Sequence, residues 1–136
     1  MNRPVIEKTI EINASIKIVW SVFTDPIVTR QMGGEYVSDW KVGSSFRWRG
    51  RDGTFYTNGT ILEIETEKLI KHKLLDLKDK NKLLSVITYE FNEVGEKTIL
   101  NIKEEMDYEM TTGQIKDTAD GWDLALKAVK ETAEKI

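Results

Sequence analysis

Apolar and polar residues alternate along Val5–Ile12, where Ile6, Lys8, Ile10 and Ile12 oppose Val5, Glu7, Thr9 and Glu11, and this period of about two residues predicts a strand. The spacing then changes. Ile16, Val19, Trp20 and Phe23 recur at the intervals of one helix face, and the Ser15 hydroxyl before them can accept an orphan backbone amide, which predicts a short helix over 16–23. Asp25-Pro26 supplies another cap and a proline suited to a first helical position, so a second short helix is expected from Ile27 to Met32, ended by Gly33-Gly34. From Tyr36 to Met106 the pattern is one of strands and turns. Its sharpest alternation is Phe46-Arg47-Trp48-Arg49-Gly50-Arg51, with Phe46 and Trp48 on one surface and the arginines on the other. Arg51-Asp52-Gly53 reads as a hairpin turn into a long strand from Thr54 to Glu65, and Lys41-Val42-Gly43 as another turn. Further strands are expected over 69–75, 83–92 and 97–106, with 76–82 a polar loop and Glu93-Val94-Gly95-Glu96 a turn.

Thr111-Thr112-Gly113-Gln114 fits a capping box, because the threonine and glutamine can each satisfy the other's exposed amide. It opens a helix that runs to the C-terminus, with a break or kink expected at Asp120-Gly121. Trp122, Ala125, Leu126, Val129, Ala133 and Ile136 form its apolar stripe. The order is strand, two short helices, antiparallel strands and long helix, which predicts an α+β fold with a sheet of roughly six to seven strands whose apolar face and the helix stripe bury each other. The functional question is whether the two surfaces interlock fully or enclose a cavity.

The length of 136 residues suits one domain over 1–136. A formal charge of -3 argues against sequence-independent nucleic-acid binding, which needs a positive surface to displace counterions. The chain has no cysteine, which removes disulfides, thiolate chemistry and cysteine-ligated metals. No signal-peptide core lies in Met1–Lys8 and no apolar stretch reaches membrane-spanning length, so a cytoplasmic location without membrane insertion is expected. A lone histidine, with no helical pair of histidines, predicts no metal site, and the absence of a glycine-rich phosphate loop predicts no nucleotide cofactor.

Val19-Trp20-Ser21-Val22-Phe23-Thr24-Asp25-Pro26 after the first strand, Val42-Gly43-Ser44-Ser45-Phe46, Gly59-Thr60-Ile61-Leu62-Glu63-Ile64 and a late Gly121-Trp122 together resemble the SRPBCC superfamily. More narrowly, the chain resembles the homologues of the activator of the heat-shock protein 90 ATPase, which share a fold with START and birch-pollen-allergen proteins. The resemblance covers nearly the whole chain. It implies a helix-grip fold: a curved antiparallel sheet wrapped around the C-terminal helix, closed at one end by the short helices. Between helix and sheet it implies an apolar cavity for a lipid, sterol, polyketide or similar molecule. The chain departs from the pattern at Ala14, where a proline is usual, at Gln31-Met32-Gly33, where a tryptophan is frequent, and at Lys73, where an aromatic is common.

Trp40, Phe46, Trp48, Tyr56, Tyr89, Phe91 and Trp122 are aromatics that either line such a cavity or fill the core, and Trp20 and Leu126 join them as candidate lining from the helices. His72 falls with Ile70 and Leu74 on an inward face, where it is either a ligand-binding or acid-base group or a satisfied strand histidine. Glu104 follows Leu100 and Ile102, and is either a carboxylate at the cavity edge or part of a solvated strand end. Arg47, Arg49 and Arg51 either grip an acidic partner or form an outer face paired with acidic side chains. The leading expectation is non-enzymatic binding of a small hydrophobic molecule. The alternatives are an accessory role with a chaperone, implied by the family, and a cyclase or hydratase using His72 or Glu104.

Overall fold

The computed structural model describes residues 3–136. Met1 and Asn2, which open the segment read above for a leader sequence, lie outside the described residues. β1 (Val5–Ile12) leads into α1 (Ile16–Thr24), α2 (Pro26–Thr29) and a 3-10 turn at Arg30–Met32. The strands β2 (Gly34–Ser38), β3 (Phe46–Gly50), β4 (Asn58–Glu65), β5 (Leu69–Leu75), β6 (Leu83–Val94) and β7 (Lys97–Met106) follow, and α3 (Thr112–Glu134) closes the chain. Ser15 caps α1 by accepting from the Ile18 amide, and Asp25 caps α2 by accepting from the Ile27 amide ahead of the Pro26 turn. The second helix is therefore shorter than its pattern suggested. It tightens into the 3-10 turn, which stops at Gly33 in the left-handed conformation with φ 95°.

Five strands form one antiparallel sheet in the order β1-β7-β6-β5-β4, and β2 and β3 pair separately. The two sheets are joined where β3 runs towards β4. The hairpin expected there exists only in part: Gly50 donates to the Thr54 carbonyl and Tyr56 to the Trp48 carbonyl. The Trp48 amide instead donates to the Thr57 hydroxyl at 2.9 Å, so a side chain interrupts the ladder and the long strand starts at Asn58 rather than Thr54. This break lets the chain turn from one sheet into the next.

Both halves of the Thr111–Gln114 capping box are made, and α3 continues without interruption through Asp120 and Gly121 for 23 residues. At about 1.5 Å per residue it spans about 34 Å, longer than the five strands are wide at about 4.8 Å each. Leu126, Val129 and Ala133 of its stripe are buried, while Ile136 lies beyond its end and is exposed. The core they join is built from Ile12, Val19, Val22, Phe23, Ile70 and Leu100 among others. Polar contacts hold α3 against β1 in particular. The Lys130 Nζ donates to the Glu11 carbonyl at 2.7 Å, the Asn13 amide donates to Glu134 Oε2 at 2.7 Å, and Lys8 pairs with Asp123 at 3.0 Å. With the helix drawn to the β1 edge, space opens on its other flank, towards β3. Among the described residues no helix is long and apolar enough to cross a membrane.

Candidate functional site

The space on that flank is a cavity of about 630 Å³, within the range of about 300–1,000 Å³ usual for small-molecule sites. One wall is α3. Gly121, Ala125 and Ala128 line it at helical spacing, and a Cβ added to Gly121 would meet nothing within 4 Å, so this face of the helix has too little side chain to reach the sheet. The opposite wall comes from β2 and β3, where Tyr36 and Trp48 are cross-strand partners with their rings 4.8 Å apart. The Trp48 indole lies across Gly34, where an added Cβ would come within 2.6 Å of the ring. Only glycine permits that approach.

A row of directly paired residues crosses the five-stranded sheet, Ile61, His72, Ile87, Glu104 and Ile6 on β4, β5, β6, β7 and β1, and its middle three, His72, Ile87 and Glu104, form the cavity floor. All five are buried. Two polar residues thus interrupt an otherwise isoleucine row, and they stand on alternate strands with Ile87 between them. Glu104 Oε1 accepts from the Trp122 indole N–H at 2.8 Å and Oε2 accepts from the Ser85 hydroxyl at 2.6 Å. His72 stacks against Phe46, at 4.3 Å between ring centres, and against Tyr89, at 5.9 Å. Its Nδ1 lies 3.0 Å from the Lys73 carbonyl, and its Nε2 is buried without a partner. Burial lowers the His72 pKa to about 4, so the ring is neutral at ordinary pH. Burial likewise raises the Tyr36 phenol to about 12 and pushes Tyr89 well above its usual value.

Six of the candidate residues, Phe46, Trp48, His72, Tyr89, Glu104 and Trp122, meet around this cavity. The other five stand elsewhere. Trp20 packs edge-on against Phe91 at 5.1 Å in the core beneath α1. Trp40 is in the left-handed region with φ 58°, its amide donating to the Ser38 hydroxyl, and it packs on the outer edge of Phe46. Leu126 is buried in the core on a different face of α3 from the small residues. Tyr56 points outward and donates to Asp52 Oδ2 at 2.7 Å, because the interrupted hairpin turns it away from the sheet's inner face. The pattern did not single out Tyr36, Gly121, Ala125 or Ala128 as lining. The signal for the last three was present in the sequence as small residues at helical intervals.

Of the three arginines on this segment, Arg47 and Arg49 are engaged within the fold, while Arg51 is exposed. Arg49 pairs with Glu35 directly across β2 and β3, Arg30 pairs with the same carboxylate at 2.8 Å, and the Arg47 guanidinium sits 3.8 Å over the Phe55 ring. Among the described residues no group of three or more histidine, aspartate or glutamate side chains converges as metal ligands would.

The sequence has no significant match among curated proteins. Among solved structures, a Cytophaga hutchinsonii protein determined in solution is similar with a TM-score of 0.78 at 25% identity, covering 99% of this chain and 97% of that one. The Aha1 dimer from Colwellia psychrerythraea gives 0.79 at 16% identity over 96% of each chain. CalU16 from Micromonospora echinospora gives 0.73 at 18% identity, over 97% of this chain and 85% of that one. These share the α+β architecture of a long C-terminal helix held in curved antiparallel strands. A family model matches residues 13–134, and the chain belongs to the family of Activator of Hsp90 ATPase homolog 1-like proteins.

Proposed function

We propose that this protein binds a small, largely apolar molecule in the cavity between α3 and the two sheets, without catalysing a reaction on it. The observation that carries this reading is the cavity itself, walled by Tyr36, Phe46, Trp48, Tyr89 and Trp122, with His72 and Glu104 as polar points in its floor. Apolar area removed from water contributes roughly 25 cal/mol per Å², and a few fixed polar groups then orient the guest. Titration with a neutral naphthalene derivative, followed through the fluorescence of the tryptophans, tests the reading. A saturable change is expected in the native chain and its loss in Ala128→Trp, where an indole fills the space. An unchanged response in a folded Ala128→Trp protein would contradict it.

Family membership supports a second reading, an accessory role with a chaperone. Its test is the ATPase rate of heat-shock protein 90 with and without this chain. Acceleration supports the role, and an unchanged rate removes it. An acid-base enzyme that used His72 and Glu104 as a touching pair is disfavoured by their separation by Ile87 on the strand between them.

A further inference from the structure

We infer that the guest carries a hydrogen-bond donor, and not an anionic headgroup, and that His72 Nε2 receives it. The inference rests on the cavity-binding reading above and names the chemistry of its ligand. A backbone carbonyl only accepts, so the 3.0 Å contact between His72 Nδ1 and the Lys73 carbonyl places the ring proton on Nδ1. Nε2, on the far side of the ring from that contact, is then a bare lone pair. It has no partner although the residue is only 3% exposed, and an orphaned buried acceptor is costly unless something occupies it.

The ring is not free to turn and find another partner. Phe46 and Tyr89 both stack against it, at interplanar angles of 24° and 17°, and Gly59 admits the close passage of β4 beside Nδ1. The depressed His72 pKa keeps Nε2 an acceptor at neutral pH.

The second polar group, Glu104, adds a sign. Both of its oxygens accept from neutral donors, and no lysine or arginine lines the cavity among the described residues. A carboxylate or phosphate headgroup would enter a site that offers it no cation and already contains a carboxyl group. A hydroxyl or an ammonium would meet acceptors. Both donate, and the aromatic walls accept the apolar body of either.

Calorimetric titration of the whole chain with four molecules on one naphthalene skeleton separates these chemistries: naphthol, naphthylmethylamine, methoxynaphthalene and naphthoate. Naphthol or the amine, or both, should bind roughly five- to tenfold more tightly than methoxynaphthalene, with naphthoate the weakest. Preference for naphthol identifies a neutral donor, and preference for the amine identifies a cation. His72→Phe keeps a stacked ring and deletes Nε2, and should bring naphthol and methoxynaphthalene to equal affinity. Should methoxynaphthalene or naphthoate bind the native chain as tightly as the donors, the donor inference fails while cavity binding stands. Should none of the four bind, both fail.

Discussion

Trp122 on α3 donates its indole N–H to Glu104 on β7 at 2.8 Å, which fixes the middle of the long helix over the polar end of the cavity. Because Ser85 holds the other carboxylate oxygen, three elements meet on one side chain. Trp122→Phe leaves that oxygen without its donor in a buried setting and should destabilise the fold by about 1–3 kcal/mol. Glu104→Gln keeps an acceptor for the indole and should cost less. Urea unfolding midpoints of the two variants check the ranking.

His72 should make stability depend on pH in a window of its own. The unfolded chain takes up a proton near pH 6.5, whereas the buried ring does so only near 4. The unfolded state therefore binds more protons between those values. Stability is complete above about pH 6.5, is lost as the pH falls, and the loss levels off below about 4 at about 3 kcal/mol. As His72 is the only histidine, and the ordinary carboxylate range lies below this window, the slope between pH 6.5 and 5 should largely disappear in His72→Phe. A native chain of constant stability across that range would refute the buried neutral ring.

Two glycines should respond in opposite directions to alanine. An added Cβ at Gly59 would strike the Lys73 carbonyl and come within 3.3 Å of His72 Nδ1, so Gly59→Ala should push β4 from β5 and cost about 1–3 kcal/mol. Gly121 lies inside α3 with open space around it, and Gly121→Ala should stabilise the protein by about 0.5–1 kcal/mol through helix propensity alone. Thermal unfolding of both variants decides.

The strands with clean alternation were legible in the sequence. Val5–Ile12, Leu69–Leu75 and Lys97–Met106 carry their burial pattern in adjacent residues, and the α3 cap lies within one turn. The separate pairing of β2 with β3 was not legible, since it depends on the Thr57 hydroxyl replacing a ladder carbonyl. Gly121 was misleading for a physical reason: taken alone, a helical glycine signals a break, whereas here the capped, packed helix carries it through and the missing side chain leaves room. The position of the cavity depends on contacts such as Lys130 with Glu11 and Asn13 with Glu134, which tie α3 to β1 across most of the chain's length. No local pattern encodes them.

The most direct measurement of the central claim is the amide NMR spectrum of the native chain as naphthol is added. Shifts concentrated on Trp48, His72, Tyr89, Trp122 and Ala128, saturating together with one affinity, are the expected result. A spectrum that does not move at saturating probe, or that moves only at surface positions away from α3 and β3, would contradict a binding cavity.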